Sequence, residues 1–390
     1  MSIDDNFPDA GISANISVKY ILIMPTAKNL YKIAVLGAGH GGLAMAGHLA
    51  LMGHKVNLFN RGEERLWGVK ASGSIELTGE VEGFGELNLA TTVMQDAING
   101  VELIMVVVPA YGHRWMAEQM APYLVDGQIV VLHPGRTFGA IEFKQTLSRL
   151  NVTAEVTIAE AQTFIYASRA TGPSQVHIFR IKHSIPVASI RAHLIPTVIN
   201  KLRQFYSQFV PGDNVFKTSF ENIGSVFHPA LCVLNAGWIE HDSDFQFYHE
   251  GATPSVTKVL ERIDQERINV AEAIGIRAIS ARQWLYMAYS SAGSTLLEAM
   301  RKNAGYRGIL APRSLTVRYI EEDIPFSLVP IASTGKMLNV STPTIDSIIN
   351  LASGLNETDY RTKGRTVESL GIAGMGVRDL RLFAIGEALK

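Results

Sequence analysis

The stretch Gly37-Ala-Gly39-His-Gly-Gly42 constrains the fold of this chain more than any other. It follows the apolar run KIAVLG (32–37) and opens GGLAMAGHLALMG (41–53), whose apolar residues recur at helical spacing and end at Gly53. HKVNLFN (54–60) then reads as a second strand. Strand, glycine turn, helix and strand together fill about 30 residues, the size of one βαβ unit. In a chain with 34 glycines a lone G-x-G-x-x-G match carries little, but a strand before it and a helix after it make it a dinucleotide motif. In such a motif Gly37 permits the tight turn. Gly39 lets the backbone approach a pyrophosphate, and Gly42 lets helix and strand pack closely. The helix start then presents free N–H groups and a favourable dipole to the phosphates.

The same alternation continues downstream. VELIMVVVP (101–109) and QIVVLHPG (128–135) read as buried strands around a helix over 114–124, with weaker strand candidates at 156–161 and 175–181. Beyond about Val210 strand-like runs fade. Amphipathic stretches take over at 254–274, 280–302 and 340–353, and Pro211-Gly212-Asp213 reads as a hinge. The expected architecture is an α/β Rossmann-type doubly wound domain followed by an all-α domain. Residues 1–30 form a tail or extension, 31–210 the dinucleotide-binding domain and 211–390 the helical substrate domain. A length of 390 residues with 47% hydrophobic and 18% charged residues suits two such cores.

Bulk properties exclude several function classes. A net charge of −1 provides no basic excess for tracking nucleic-acid phosphates. The apolar run at Tyr20–Pro25 is far shorter than the about 20 residues of a membrane span, and no basic flank marks a signal peptide. Cys232 is the single cysteine, so neither an internal disulfide nor a CxxC metal pair exists. A reducing, cytoplasmic setting is expected.

The end of the second strand bears on cofactor choice. NAD-preferring folds place a carboxylate there for the ribose hydroxyls. This chain has Asn60-Arg61 instead. An arginine suits a 2′-phosphate, so NADP is favoured over NAD. The alternative is that Arg61 is a solvated loop charge and Glu63 or Glu64 serves the ribose. The expected cofactor contacts are Gly37, Gly39, His40 and Gly42, then Asn60 and Arg61, and the strand-end turns at Pro109 and Gly135.

Two places are candidates for chemistry. His228 lies beside Pro229 in the apolar segment SFENIGSVFHPALCVLNAG; it is either a satisfied core histidine or a general acid–base. Arg318, Glu321, Glu322 and Asp323 cluster ahead of an apolar run, where a solvated charged turn is the plain reading. No histidine spacing makes a convincing metal site.

These segments resemble the opine dehydrogenases, the octopine/nopaline dehydrogenase group, over roughly residues 31–376. The resemblance is carried by VLGAGHGGLAMAGHLALMGHKV, VVVPAYGH, NIGSVFHPA, FQFYHEGATPSV, AGYRGI, RYIEEDIPFSLVPI and GRTVESLGI. It implies reductive condensation of an amino acid with an α-keto acid, often pyruvate, through an imine reduced by NAD(P)H. It also implies that His228 and Asp323 are catalytic and that Arg318 binds a substrate carboxylate. Asp323 either orients His228 or holds the substrate amine. Relatives suggest a homodimer through the helical domain, and the side-chain pocket is expected on that domain, with Phe245–Tyr248 as candidate lining. The chain departs from the pattern at Asn60-Arg61. It also reads His133-Pro134-Gly135-Arg136 where relatives have an NPG turn, which adds a charge that would touch substrate or cofactor phosphate. Competing readings are a dehydrogenase of hydroxy acids with a helical C-terminal half, and a silent sensor of NADP redox state that would need none of His228, Arg318 and Asp323.

Overall fold

The computed structural model describes residues 30–241 and 243–386. The tail expected at the N-terminus lies, apart from Leu30, outside them. Twelve strands occur among the described residues: β1 (Lys32–Leu36), β2 (Lys55–Phe59), β3 (Ser74–Gly79), β4 (Gly83–Glu86), β5 (Leu89–Thr91), β6 (Leu103–Val106), β7 (Ile129–Leu132), β8 (Thr157–Ala161), β9 (Tyr166–Gly172), β10 (Gln175–Ile181), β11 (Ile185–Ser189) and β12 (Phe209–Pro211).

Eight of them form one sheet in the order β12-β11-β8-β7-β6-β1-β2-β5. Pairing is parallel from β8 through β7, β6, β1 and β2 to β5, while β11 runs antiparallel to β8. The central strands β6 and β7 are buried at every residue, as their unbroken apolar sequences require. The chain leaves β1 toward β2 and β5, then returns to β6 on the other side of β1. The order therefore reverses between β1 and β6, and a ligand crevice belongs beyond the carboxyl ends of these strands.

A second sheet, β4-β3-β10-β9, was only partly expected. Its strand Gln175–Ile181 matches the weaker strand candidate at 175–181. The helix His40–Leu51 contacts strands of both sheets, and Gly42 through Ala50 are all buried. A helix that is apolar on all sides needs cover on all sides, and GGLAMAGHLAL is such a sequence.

Among the described residues no named strand follows Pro211. The helices Val215–Phe220, Gly224–Leu234 and Pro254–Ala273 begin the helical half. The longest starts at a Thr253 N-cap, whose Oγ1 accepts from the Val256 N–H at 3.3 Å, with Pro254 at the first helical position. The stretch 280–302, expected as one amphipathic run, breaks into Ala281–Tyr289 and Leu296–Lys302. Ser290 takes φ +55 and ends the first of these. No helix of the described residues is long and apolar enough to cross a membrane.

Candidate active site

One cleft of about 880 Å³ runs from the glycine turn to His228. Its walls come from both halves of the molecule. Gly37, Gly39, His40, Asn60, Arg61 and Pro109 line the Rossmann end, and His228 and Arg318 line the helical end. The motif expected to bind a dinucleotide therefore shares one space with His228 and Arg318.

The glycine turn is sterically obligatory. Gly37 has φ +114, and a Cβ there would lie 2.4 Å from the Val107 carbonyl oxygen. A Cβ on Gly42 would lie 1.6 Å from the Gly37 carbonyl oxygen, so this glycine stays behind the turn and lets helix and strand close on each other. A Cβ on Gly39 would meet nothing nearer than Arg65 Nη1, at 4.0 Å, so a ligand has room to approach the backbone there. Asn60 ties the turn to the end of β2: its Oδ1 accepts from the Ala38 N–H at 3.2 Å, and its Nδ2 donates to the Gly62 carbonyl at 2.8 Å. The first N–H groups of the helix at His40 have no intrahelical acceptor. A cradle open at Gly39, unpaired N–H donors and the cations Arg61 and Arg65 suit the diphosphate and ribose of a dinucleotide.

His40 Nδ1 accepts from the Ala170 N–H at 3.0 Å. Burial, then the charges of Arg169, Arg65 and Arg318, hold its pKa below the ordinary histidine value. Arg61 is exposed, with its guanidinium 5.9 Å from the centre of the Trp115 ring. Glu63 instead receives Lys70 Nζ at 2.8 Å, and neither Glu63 nor Glu64 lines the cleft.

Gly135 departs from expectation. Its neighbours Pro134 and Arg136 line the cleft, and Gly135 does not. The place of its missing Cβ faces the buried Glu160 carboxylate at 2.2 Å, so the turn backs onto protein. Arg136 lines the cleft and is also engaged by the protein. Its guanidinium lies 3.0 Å from Glu322 and 3.5 Å from Asp323, and it donates to Asn222 Oδ1 at 3.3 Å.

The chemistry-bearing cluster forms where two helices meet. His228 lies in Gly224–Leu234 immediately before Pro229, whose missing N–H removes one helical hydrogen bond. The single turn Arg318–Glu321 is followed by a π-helical turn, Ile324–Leu328, which leaves Asp323 between them. His228 Nδ1 lies 2.7 Å from Asp323 Oδ2. With that carboxylate accepting, Nδ1 carries the proton and the lone pair is on Nε2. The imidazole stacks on Tyr319 with 4.3 Å between ring centres, and Tyr319 stacks on Phe247 at 5.3 Å.

Asp323 is 1% exposed and does not line the cleft, so its contact is with the imidazole and not with the open space. Burial alone would raise its pKa, yet the Arg136 charge and the His228 hydrogen bond hold it below the ordinary carboxylate range. Glu322 is buried as well; its Oε1 accepts from the Ala110 N–H at 2.9 Å across the two halves. The RYIEED segment is therefore not a solvated charged turn. Arg318 remains 61% exposed, 3.5 Å from Glu322, and its guanidinium borders the cleft. Of Phe245–Tyr248, Phe245 and Phe247 are core residues, and Tyr248 lines the cleft.

Sequence reasoning missed Arg365. This fully buried arginine donates to Glu142 Oε2 at 2.8 Å, to the Gly135 and Thr137 carbonyls at 3.3 and 2.8 Å, and to the Ala110 carbonyl at 3.3 Å. It joins the turns after β6 and β7. Its only signal was its place in GRTVESLGI.

Known proteins match both halves of the chain. Residues 211–356 match the family model for the α-helical domain of NAD/NADP octopine/nopaline dehydrogenase, and residues 32–136 match the N-terminus of NAD-dependent glycerol-3-phosphate dehydrogenase. An octopine dehydrogenase solved with NADH and L-arginine superposes with a TM-score of 0.79 at 19% identity, covering 92% of this chain and 99% of that one. A yersinopine dehydrogenase with NADP+ bound superposes with a TM-score of 0.69 at 14% identity, covering 92% and 98%. The opine dehydrogenase of Arthrobacter sp. (strain 1C) is 37% identical over 349 residues, 89% of this chain and 97% of that protein. The chain belongs to the opine dehydrogenase family and is an NAD(P)-dependent oxidoreductase.

Proposed function

We propose that the enzyme condenses the amine of an amino acid with the carbonyl of an α-keto acid, pyruvate foremost, and reduces the resulting imine to a secondary-amine dicarboxylate. Written in balance, amino acid, keto acid, NAD(P)H and one proton give the opine, NAD(P)+ and water. The observation that carries this reading is the single cleft joining the glycine turn to the His228–Asp323 pair.

The cofactor would lie against Gly37, Gly39, His40, Asn60, Arg61 and Pro109, and its nicotinamide supplies the hydride for the C=N carbon. NADP is the preferred cofactor because Arg61 stands where a ribose-binding carboxylate would select NAD. His228, through Nε2, takes a proton from the substrate ammonium and so frees the lone pair that attacks the keto carbon. The protonated imidazole then returns a proton to the departing hydroxyl, which leaves as water. Asp323 fixes the ring and its tautomer and supports the imidazolium. Arg318 holds a substrate carboxylate with its planar fork.

Tyr248, Trp284, Tyr289 and Tyr306 line the helical side of the cleft, while the carboxylates there are already engaged: Glu221 with Lys217 and Glu322 with Arg136. That wall favours an amino acid with an apolar side chain. Cys232 is buried and unpaired, which supports a reducing cytoplasmic setting. The exposed apolar Leu351 and Leu355 of the helix Pro343–Leu355 support a homodimer through the helical half, testable by sedimentation.

The test is product identification. Purified enzyme with NADPH, pyruvate and an apolar amino acid should yield one new species whose mass is the sum of both substrates less one oxygen. Recovery of lactate instead would establish direct keto-acid reduction and overturn the reading.

A further inference from the structure

A condensation of an amino acid with a keto acid keeps both carboxylates in the product. The cleft must therefore hold two anions at once, and Arg318 accounts for one of them. The remaining cations differ in how they are engaged. Arg61 and Arg65 stand at the glycine-turn end. Arg136 is bound to Glu322, Asp323 and Asn222.

Lys182 is the exception. It follows β10 and lines the cleft from the Rossmann side, opposite the half that carries Arg318. Its backbone N–H donates to the Ile165 carbonyl at 3.0 Å, which fixes it beside Thr163. Its Nζ donates to Thr163 Oγ1 at 2.6 Å. None of the ion pairs among the described residues includes it. An ammonium has three donors, so two are left without a partner among the described residues. A partly buried ammonium with neither counter-ion nor full hydrogen bonding is costly unless a ligand completes it. Burial, then the Arg136 charge, lower its pKa to about 8, which leaves it cationic at neutral pH.

We propose that Lys182 is the second carboxylate receptor of the cleft, binding from the Rossmann side the carboxylate that Arg318 does not hold. This rests on the two-carboxylate reaction proposed above. Each half of the molecule then grips one carboxylate, and the forming C–N bond lies between them, near His228. Thr163 positions the ammonium. A dicarboxylate engages both halves, whereas a monocarboxylate engages one.

The probe is iminodiacetate, the smallest secondary-amine dicarboxylate, titrated calorimetrically into NADP+-loaded wild type, Lys182→Met, Lys182→Gln and Lys182→Arg. The Met and Gln variants should bind it at least about tenfold more weakly, the loss expected when a charged hydrogen-bond partner is removed. Lys182→Arg should bind close to wild type, and all four should bind NADP+ alike. An unchanged iminodiacetate Kd in Met and Gln overturns the proposal, and so does a loss confined to NADP+ affinity. The two readings fail separately. If wild type forms the secondary amine while the Met and Gln variants retain both substrate KM values, the receptor is refuted and the reaction stands. If those variants lose iminodiacetate while wild type forms no secondary amine, the receptor stands and the reaction is refuted.

Discussion

Nδ1 of His228 lies 2.7 Å from Oδ2 of Asp323, across 95 positions of sequence. The pair holds the imidazole that lines the helical end of the cleft, and the proposed reaction uses that imidazole for proton transfer. Removing either member should therefore cost turnover and leave cofactor binding intact. His228→Ala and Asp323→Asn should each lower kcat by about 10²–10⁴-fold, the range of a positioned acid–base. The double variant should be little worse than His228→Ala, because the two act as a unit. Steady-state kinetics beside NADPH fluorescence titration checks this; a fall in cofactor affinity matching the fall in kcat would contradict it.

The buried Asp323 carboxylate also ties stability to pH. Its folded pKa lies below the ordinary value, so the unfolded chain takes up the proton first as pH falls. The stability it contributes is full above about pH 5 and is lost as pH falls below about 4 and through the folded value. Urea unfolding of wild type and Asp323→Asn from pH 6 down to 3 should show a gap that narrows with acid. A gap that widens toward low pH would contradict the sign.

Arg61 sets the cofactor prediction. Arg61→Ala should weaken NADPH binding by about five- to tenfold and leave NADH nearly unchanged, since only the former carries a 2′-phosphate for a charged contact to recognise. Equal losses for both would place Arg61 on a group the two cofactors share.

Arg365 is the structural counterpart. Its guanidinium is fully buried against Glu142 and joins the turns that end β6 and β7. Arg365→Met should destabilise the protein by about 2–3 kcal/mol: Arg114 still reaches Glu142 Oε1 at 3.1 Å, but the buried Gly135, Thr137 and Ala110 carbonyls lose their donor. Denaturant unfolding measures it. A loss under about 1 kcal/mol, typical of exposed pairs, would mean the arginine is not buried in solution.

Legibility in the sequence followed the range over which each signal acts. The glycine turn was readable because strand, turn and helix are contiguous and each glycine has its own steric task. The apolar runs of β6 and β7 were readable for the same reason. The second sheet was not, because β3 and β4 are short and polar on one side, and β3 joins them to β10 about 100 residues away. Composition alone left His228 undecided between core residue and acid–base, since its partner lies in another helix. The resemblance to relatives brought the two together, and their distance supplies the physical reason. Arg136 and Glu322 were visible as charges, but nothing local shows that they face each other across the two halves. Lys182 gave no signal at all: its distinction is that no counter-ion meets it among the described residues, which only a fold can reveal.

NADPH oxidation by purified enzyme with pyruvate alone, with an apolar amino acid alone, and with both tests the reaction most directly. Reductive condensation predicts oxidation only when both are present, with a turnover that falls by orders of magnitude in His228→Ala. Oxidation at the same rate with pyruvate alone would contradict it.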